Sequence, residues 1–302
     1  MPGPFLIFIA AILWGLDGVL RRALFSLPPA TIVFYEHLIG LIIIAPFLWR
    51  AWRAKGEPLT KREWAAIALV SLLSGALGTI FFTAALQAIQ FIPFSVVFLV
   101  QKLQPIFAVL VAWKVLGEKP ERRYWWWAAL ALAAGYFVTF PGGAVNLGEG
   151  GGYVQAAGLA VLAAVAGGAS TAFSRYVLLR RSHTLVTGLR FALTVPIALA
   201  FVFALGAHSS FASLATVSGN QLAMLAGIAL STGMVALWIY YRGLAHTPAR
   251  VSAIVELAFP MTAVVIDYFL YGTVLTAGQY FAAAVLLFAM YRVAAPAVAR
   301  TV

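Results

Sequence analysis

The chain has 302 residues, of which 63% are hydrophobic and only 10% are charged, so it is far more apolar than a soluble domain. Its formal net charge of +11 arises from short basic clusters between apolar segments, not from one patch that would suit nucleic acid. The absence of cysteine excludes disulfides, thiolate catalysis and cysteine-based metal sites. We therefore expect a polytopic membrane protein with no nucleic-acid partner, no cofactor and no metal.

Apolar segments long enough to cross a bilayer follow one another along the chain with short connections. The first lacks a small-residue cleavage site and is interpreted as a retained helix, not as a signal peptide. The segments lie at 4–24, 29–49, 64–86, 93–113, 124–141, 155–178, 184–206, 221–241, 250–271 and 275–295. The sequence predicts an all-α fold with ten transmembrane helices.

Lysine and arginine residues are concentrated in every second connection between the apolar segments. With a cytoplasmic N-terminus, fifteen of them fall on the inside, whereas the outside connections hold none apart from Arg21 and Arg22 near the outer end of the first helix. Such asymmetry is the usual determinant of orientation. We predict a multi-pass protein of the bacterial inner membrane with both termini in the cytoplasm.

The two halves of the chain align with each other. Superimposing their fourth segments places Gln101 on Glu256, and a nearly identical offset places Glu36 on Arg190. Two copies of five helices cross the membrane in opposite senses, as in secondary transporters that bind substrate near the midplane between the halves. The predicted units are a first five-helix repeat at 1–141, a periplasmic linker at 142–154 and a second five-helix repeat at 155–302.

Short motifs, taken in order, resemble the EamA-type branch of the drug/metabolite transporter superfamily. They are Ala11-Ile12-Leu13-Trp14-Gly15, Leu27-Pro28-Pro29, Leu103-Gln104-Pro105 leading to Leu116-Gly117-Glu118, Leu189-Arg190-Phe191, and the helix from Glu256 to Pro260. The resemblance implies two inverted five-helix repeats that move small metabolites by alternating access around a central cavity. The chain departs from the family at Glu36-His37, where members often carry Arg-Phe, and at Gly272-Thr273, where they often carry Gly-Glu.

Polar side chains inside the apolar segments are the best sequence evidence on substrate. Lys102 lies near the centre of the fourth segment, where an unpaired ammonium costs roughly a few kcal/mol, so it marks either a functional site or an ion pair that stabilises the bundle. Asp17 and Arg175, nearer helix ends, are further candidates. Two tryptophans near helix segments rich in Gly or Ser join the set. The predicted substrate-binding residues are Lys102, Glu36, Trp14, Gln101, Trp238, Glu256 and Arg190.

One hypothesis places Glu36 or Glu256 against a substrate ammonium and Lys102 against a substrate carboxylate, which suits an amino acid or similar zwitterion. The alternative is that Glu36 pairs with Lys102 or Arg190, and Glu256 with another of these, so that no net site remains. Imidazole titrates near neutral pH, and desolvation can keep an intramembrane carboxyl group protonated. His37 and Glu36 are therefore candidate proton carriers, although His37 is equally well explained as a hydrogen-bonded side chain between helices.

These features favour a secondary transporter with a small-molecule substrate, most simply an exporter of an amino acid or similar zwitterion, with proton coupling as a further expectation. An exporter of organic or quaternary cations is the alternative. An intramembrane lipid-modifying enzyme is a remote one, since the sequence has no Asp-rich motif and no HExxH. A channel would be expected to show a filter-like polar loop or a charged ring. Either a monomer or a dimer is compatible with a ten-helix inverted repeat.

Overall fold

The structure is a computed structural model that describes residues 3–54, 57–88, 94–116, 120, 122–143, 152–205, 214–215, 217–247, 252 and 255–294. Helices account for most of these residues, and none of them lies in a strand. The helices are α1 (Gly3–Arg22), α2 (Pro29–Arg53), α3 (Lys61–Val70), α4 (Gly78–Gln87), α5 (Phe94–Gln101), α6 (Gln104–Leu116), α7 (Arg122–Thr139), α8 (Gly152–Leu178), α9 (His183–Leu205), α10 (Gly219–Leu230), α11 (Met234–Ala245), α12 (Ala258–Tyr271) and α13 (Ala277–Ala294).

Each of the ten apolar segments predicted from the sequence contains a described helix. Within the described ranges, six helices are long and apolar enough to cross a membrane. They are Gly3–Arg22, Pro29–Arg53, Lys61–Gln87, Gly152–Leu178, His183–Leu205 and Gly219–Ala245. The all-α prediction is confirmed, whereas the number of ten spanning helices stays a prediction.

The third and fourth segments of each half are interrupted near their middle. A π-helix, Ser71–Leu77, joins α3 to α4, and the turn at 231–233 separates α10 from α11. Turns at Lys102–Leu103 and Glu256–Leu257 lie between α5 and α6 and immediately before α12. Matching the breaks of the two halves pairs Lys102 with Glu256. The sequence alignment pairs Glu256 with Gln101, one residue earlier. Broken helices in membrane proteins free backbone groups where they line a cavity.

The first helix of each half packs on the third and fourth helices of the other half. Helix α1 contacts α11 and α12, and α8 contacts α3 to α6. Glycine permits the close approach on both sides, since a Cβ at Gly15 would overlap the Thr262 side chain and a Cβ at Gly168 would overlap the Gln104 carbonyl oxygen. Helix α2 packs on α9, and α7 packs on α13. The pairing leaves room between the halves.

Apolar residues fill the contacts on both sides of this space and also cover the outer surface. One buried cluster joins α4 to α8 with α12 and α13, and another joins α1, α2, α8, α9 and α11. Large apolar side chains such as Trp126, Phe269 and Phe281 are exposed on the outside, as expected where lipid replaces water.

Parts of our sequence predictions lie outside the described residues. Residues 144–151 of the predicted linker do so, as do Gly117 and Glu118 of the resemblance motif. The boundaries of the two repeats and of the linker therefore stay predictions.

Candidate functional site

A cavity of about 210 Å³ lies between the two halves of the described bundle. Side chains from both halves line it, on α1, α2, α4, α8, α9 and α11 and at the four helix breaks. Seven of the predicted substrate or proton sites line this one space: Trp14, Glu36, His37, Gln101, Lys102, Arg190 and Glu256. Their roles in binding remain predictions.

An acidic triad occupies one part of the cavity wall. Arg21 donates from Nε to Asp17, one turn earlier on α1, and from Nη2 to Glu36 Oε2 on α2 at 2.7 Å. Its Nη1 donates to Thr83 Oγ1 at 3.2 Å, and Thr232 in the α10–α11 break donates to Asp17 Oδ1 at 2.5 Å. We call Asp17, Arg21 and Glu36 the acidic triad, because two carboxylates share one guanidinium.

Lys102 forms an ion pair across the cavity with the second half. Its Nζ lies 3.5 Å from Glu256 Oε2 and 4.9 Å from the centre of the Phe259 ring. Tyr240 and Ser252 donate hydrogen bonds to Glu256 Oε1 at 2.8 and 2.9 Å. For Lys102 and Glu256, the structure thus contains the ion pair that was the alternative to substrate binding. Glu36 pairs with Arg21, a partner that the sequence did not suggest.

Arg190 differs from Arg21 and Lys102, the other cations of the cavity lining, in having no carboxylate within 4 Å among the described residues. Its Nη1 donates to Tyr241 Oη at 3.0 Å, and that hydroxyl lies 3.0 Å from Ser174 Oγ. Its Nε is buried without a hydrogen-bond partner. Burying a guanidinium with an unpaired N–H costs free energy unless an acceptor binds that group. Arg190 Nε is therefore available to an acceptor on a molecule that enters the cavity.

Gln101 and His37 have different surroundings. The Gln101 Oε1 atom is buried without a donor, which gives the cavity an unused acceptor as well as an unused donor. His37 Nδ1 lies 2.9 Å from the carbonyl oxygen of Val33, and its ring lies 4.8 Å from that of Phe191. Val33 belongs to the same helix as His37, so this hydrogen bond does not connect two helices. The interpretation of His37 as a side chain hydrogen-bonded between helices and its role as proton carrier both stay predictions.

Aromatic rings form another part of the wall. The Trp14 ring lies 4.9 Å from the Tyr240 ring and 6.5 Å from the Phe259 ring, distances typical of aromatic contact. These three side chains all line the cavity. They provide polarisable rings beside the ion pair of Lys102 and Glu256, with the Tyr240 and Phe259 rings inclined to the Trp14 ring by 54° and 81°.

Trp238 and Arg175 lie outside the set of lining residues. Trp238 donates from Nε1 to Thr184 Oγ1 at 3.1 Å, and its ring lies 5.5 Å from that of His183. Arg175 donates to the carbonyl oxygen of Thr247 at 3.3 Å. Both side chains therefore bond to their own neighbours, away from the cavity.

Sequence reasoning missed Arg21 as a site residue, because we assigned it to the outer end of the first helix. The structure buries it, with 3% of its surface exposed. The available signal was the four-residue spacing of Asp17 and Arg21, which puts both on one helix face. Thr232 and Gln104 were also missed, since single Thr and Gln residues in apolar segments are common.

The formal charges of the described lining residues balance. Three carboxylates, Asp17, Glu36 and Glu256, accompany three cations, which are Arg21, Lys102 and Arg190. Within the described residues, no three His, Asp or Glu side chains are arranged to hold a metal ion.

Comparison with known proteins agrees with this architecture. The model of the EamA-like transporter family matches residues 1–140 and again 155–294, which confirms a fold of two repeats. A solved crystal structure of a protein with 18% sequence identity covers 97% of this chain and 96% of its own, with a TM-score of 0.65. It supports the fold alone.

Two named relatives are transporters. The chain is 34% identical over 292 residues to the riboflavin transporter ImpX of Fusobacterium nucleatum subsp. nucleatum, covering 96% of this chain and 97% of that protein. It is 24% identical over 126 residues, 42% of each chain, to the pseudopaline exporter CntI of Pseudomonas aeruginosa. The prediction of a multi-pass transporter rather than an enzyme is confirmed. This chain belongs to the EamA-like transporter family.

Proposed function

We propose that this protein transports riboflavin across the membrane by alternating access of the central cavity. The observation that carries the proposal is the likeness to a riboflavin transporter along almost the whole length of both chains. A shared pair of repeats over such a length supports a shared pathway, and transporters of this architecture bind substrate at the repeat interface.

The aromatic wall supports a planar substrate. Riboflavin carries an uncharged isoalloxazine ring, a flat heteroaromatic system that stacks on aromatic side chains. Trp14, Tyr240 and Phe259 provide rings of this kind within one cavity. A ligand site that combines aromatic walls with a few fixed polar groups is the usual design for a heterocycle.

The unused hydrogen-bonding groups support the same assignment. One edge of the isoalloxazine ring carries both kinds of hydrogen-bonding group. Its carbonyl oxygens and ring nitrogens accept hydrogen bonds, and its imide N–H donates one. Arg190 Nε offers an unused donor and Gln101 Oε1 an unused acceptor. Guanidinium groups suit planar acceptor pairs, and proteins commonly direct charge and hydrogen bonds at this edge of a flavin.

The hydroxyl-rich part of the lining suits the ribityl chain. Ser174 lies beside Tyr241, and Ser170 and Thr171 donate to the carbonyl oxygen of Gly167, which leaves their oxygens free to accept. Riboflavin suits this lining better than flavin mononucleotide, because Arg21 and Lys102 already pair with carboxylates, and among the described lining cations only Arg190 keeps an unused donor for a phosphate.

An amino acid is the second candidate, because the cavity contains charged groups of both signs. Its weakness is that Glu36 bonds to Arg21 and Glu256 bonds to Lys102, Tyr240 and Ser252. A substrate ammonium would have to displace one of these partners. Our prediction of export concerns the direction of net flux, which the driving gradients in the cell determine.

Counterflow in proteoliposomes tests the proposal without any driving gradient. Vesicles loaded with unlabelled riboflavin should take up labelled riboflavin transiently, whereas protein-free vesicles should not. Flavin mononucleotide, amino acids and quaternary ammonium compounds, added in excess outside, should inhibit weakly or not at all. Absence of riboflavin exchange together with exchange of an amino acid would replace the proposal with the zwitterion candidate.

A further inference from the structure

The acidic triad has an excess of negative charge in a place where such an excess is expensive. Asp17, Arg21 and Glu36 are all at least 94% buried, and they form two ion pairs with a single guanidinium. With both carboxyl groups ionised, the triad has a net charge of −1 away from bulk water. Two carboxylates that share one site cannot both remain ionised without a large penalty.

Nearby groups leave that excess in place. Besides Arg21, the neutral hydroxyl of Thr232 donates to the carboxyl groups of the triad, whereas Thr83 Oγ1 accepts from Arg21. Lys102 pairs with Glu256, and Arg190, whose Nη1 donates to Tyr241, forms no ion pair with either carboxyl group of the triad among the described residues. The other titratable or charged side chains that line the cavity are His37, Lys102, Arg190, Tyr240, Tyr241 and Glu256. In the part of the chain that the structure describes, none of them forms an ion pair with Asp17 or Glu36.

From this geometry we infer that the acidic triad binds one proton, shared between Asp17 and Glu36, and is the proton-coupling site of the transporter. The inference replaces His37 with Asp17 beside Glu36 in the coupling pair predicted from the sequence.

The position of the triad gives the proton a way to bias the conformation. Asp17 and Arg21 belong to the first half, and Thr232 belongs to the second, in the break between α10 and α11. The hydrogen bond from Thr232 to Asp17 therefore ties the two halves together. Protonation of the pair weakens the attraction to Arg21 and changes this tie, so states that keep and lose the tie differ in proton affinity. A ligand with different affinities for two states shifts their populations.

An infrared titration of the purified protein tests the proton site without any substrate. We expect the carbonyl stretch of a protonated buried carboxyl group in the parent protein, and its loss in both Asp17→Asn and Glu36→Gln. Each variant leaves Arg21 with one carboxylate, so a balanced pair remains and the fold should be kept.

Glu63→Gln is the matched control for that titration. Glu63 is a buried carboxylate with its own arginine, since Arg181 donates to it from Nε at 2.7 Å and from Nη2 at 2.9 Å. The carboxyl signal should persist in this variant. If the parent shows no such signal, or if it survives in Asp17→Asn and in Glu36→Gln, the inference is overturned.

Transport tests the coupling and rests on the proposed function. In proteoliposomes, an imposed pH gradient should drive net riboflavin movement in the parent. In Asp17→Asn and Glu36→Gln, the ratio of gradient-driven to gradient-free riboflavin movement should fall at least about fivefold below that of the parent. Variants that respond to the gradient as the parent does would refute coupling at the triad. If the parent exchanges no riboflavin, the proposed function fails and the infrared titration alone decides the proton site.

Discussion

Arg21 and Arg190 are buried arginines of the same cavity with opposite surroundings. Their exposed fractions are 3% and 9%. Arg21 binds two carboxylates, whereas Arg190 binds a tyrosine hydroxyl and keeps a buried Nε without a partner. The comparison teaches that burial alone does not define the role of an intramembrane cation. The number of carboxylates around it separates a residue of the protein's own network from one that can receive a ligand.

The largest effect is expected from Arg21→Gln, which leaves Asp17 and Glu36 buried without their cation. Breaking a buried ion pair from one side destabilises a protein by about 3–5 kcal/mol. Unfolding of the purified protein in detergent measures the loss. The triple variant with Asp17→Asn and Glu36→Gln in addition should recover most of it, because no unpaired charge remains. Parent-like stability of Arg21→Gln alone would remove the distinction between the two arginines.

Arg190→Gln should affect binding instead of stability. Hydrogen bonds to a charged group contribute roughly 1.5–3 kcal/mol, so riboflavin affinity should fall roughly 10- to 100-fold. The free energy of unfolding should change by less than about 1 kcal/mol, since no carboxylate loses its partner. Calorimetric titration and unfolding on the same preparations check both values.

Arg190→Lys is the control for that variant. Lysine keeps the charge but lacks the planar fork of donors, so affinity should stay reduced. Parent-like affinity in Arg190→Gln, or destabilisation as large as that of Arg21→Gln, would contradict the assignment of Arg190.

A smaller effect is expected at the aromatic wall. Trp14→Ala removes a ring whose stacking is worth about 1 kcal/mol, so riboflavin should bind about fivefold more weakly, and Trp14→Phe should restore most of the affinity. Trp238→Phe is the matched control, because Trp238 lies outside the lining and bonds to Thr184. An equal loss in the Trp238 variant would point to a general effect on folding.

The smallest effect belongs to Tyr241→Phe, which removes the hydroxyl that accepts from Arg190 Nη1. The hydrogen bond from Arg190 to the ligand is kept in this variant, so riboflavin affinity should change by only about two- to threefold, or roughly 0.5 kcal/mol. The variant sharpens the comparison, because combining it with Arg190→Gln should cost little beyond Arg190→Gln alone. Fully additive losses would show that Tyr241 and Arg190 act separately.

The all-α fold and the repeated halves were predictable because they depend on long apolar segments and on their order. Segment length identifies membrane helices, and motifs that recur at a nearly constant offset indicate the two copies. The breaks at 102–103 and 256–257 were not predicted, since the apolar pattern continues through them. They form where helices bend around a cavity that only the packed bundle creates.

The candidate site was predicted as a set of residues but not as a network. Glu36, Lys102, Arg190 and Glu256 stand out in sequence because charge is rare in membrane helices. Their partners could not be predicted, because a uniformly apolar helix has no polar face to indicate how it is rotated about its own axis. Arg21 shows this limit most clearly. If the helix is rotated so that Arg21 faces outward, the arginine is a determinant of membrane orientation, whereas if Arg21 faces inward it forms a buried ion pair.

Binding of riboflavin to the purified protein is the most direct test of the account. Stacking of a flavin quenches the fluorescence of a nearby tryptophan, so a titration of the parent with riboflavin should give saturable quenching of tryptophan fluorescence that an excess of amino acids does not reverse. The account predicts that the stable Arg190→Gln variant needs roughly 10- to 100-fold more riboflavin for the same quenching. Quenching that does not saturate, or that amino acids abolish, would contradict the claim that this cavity binds riboflavin.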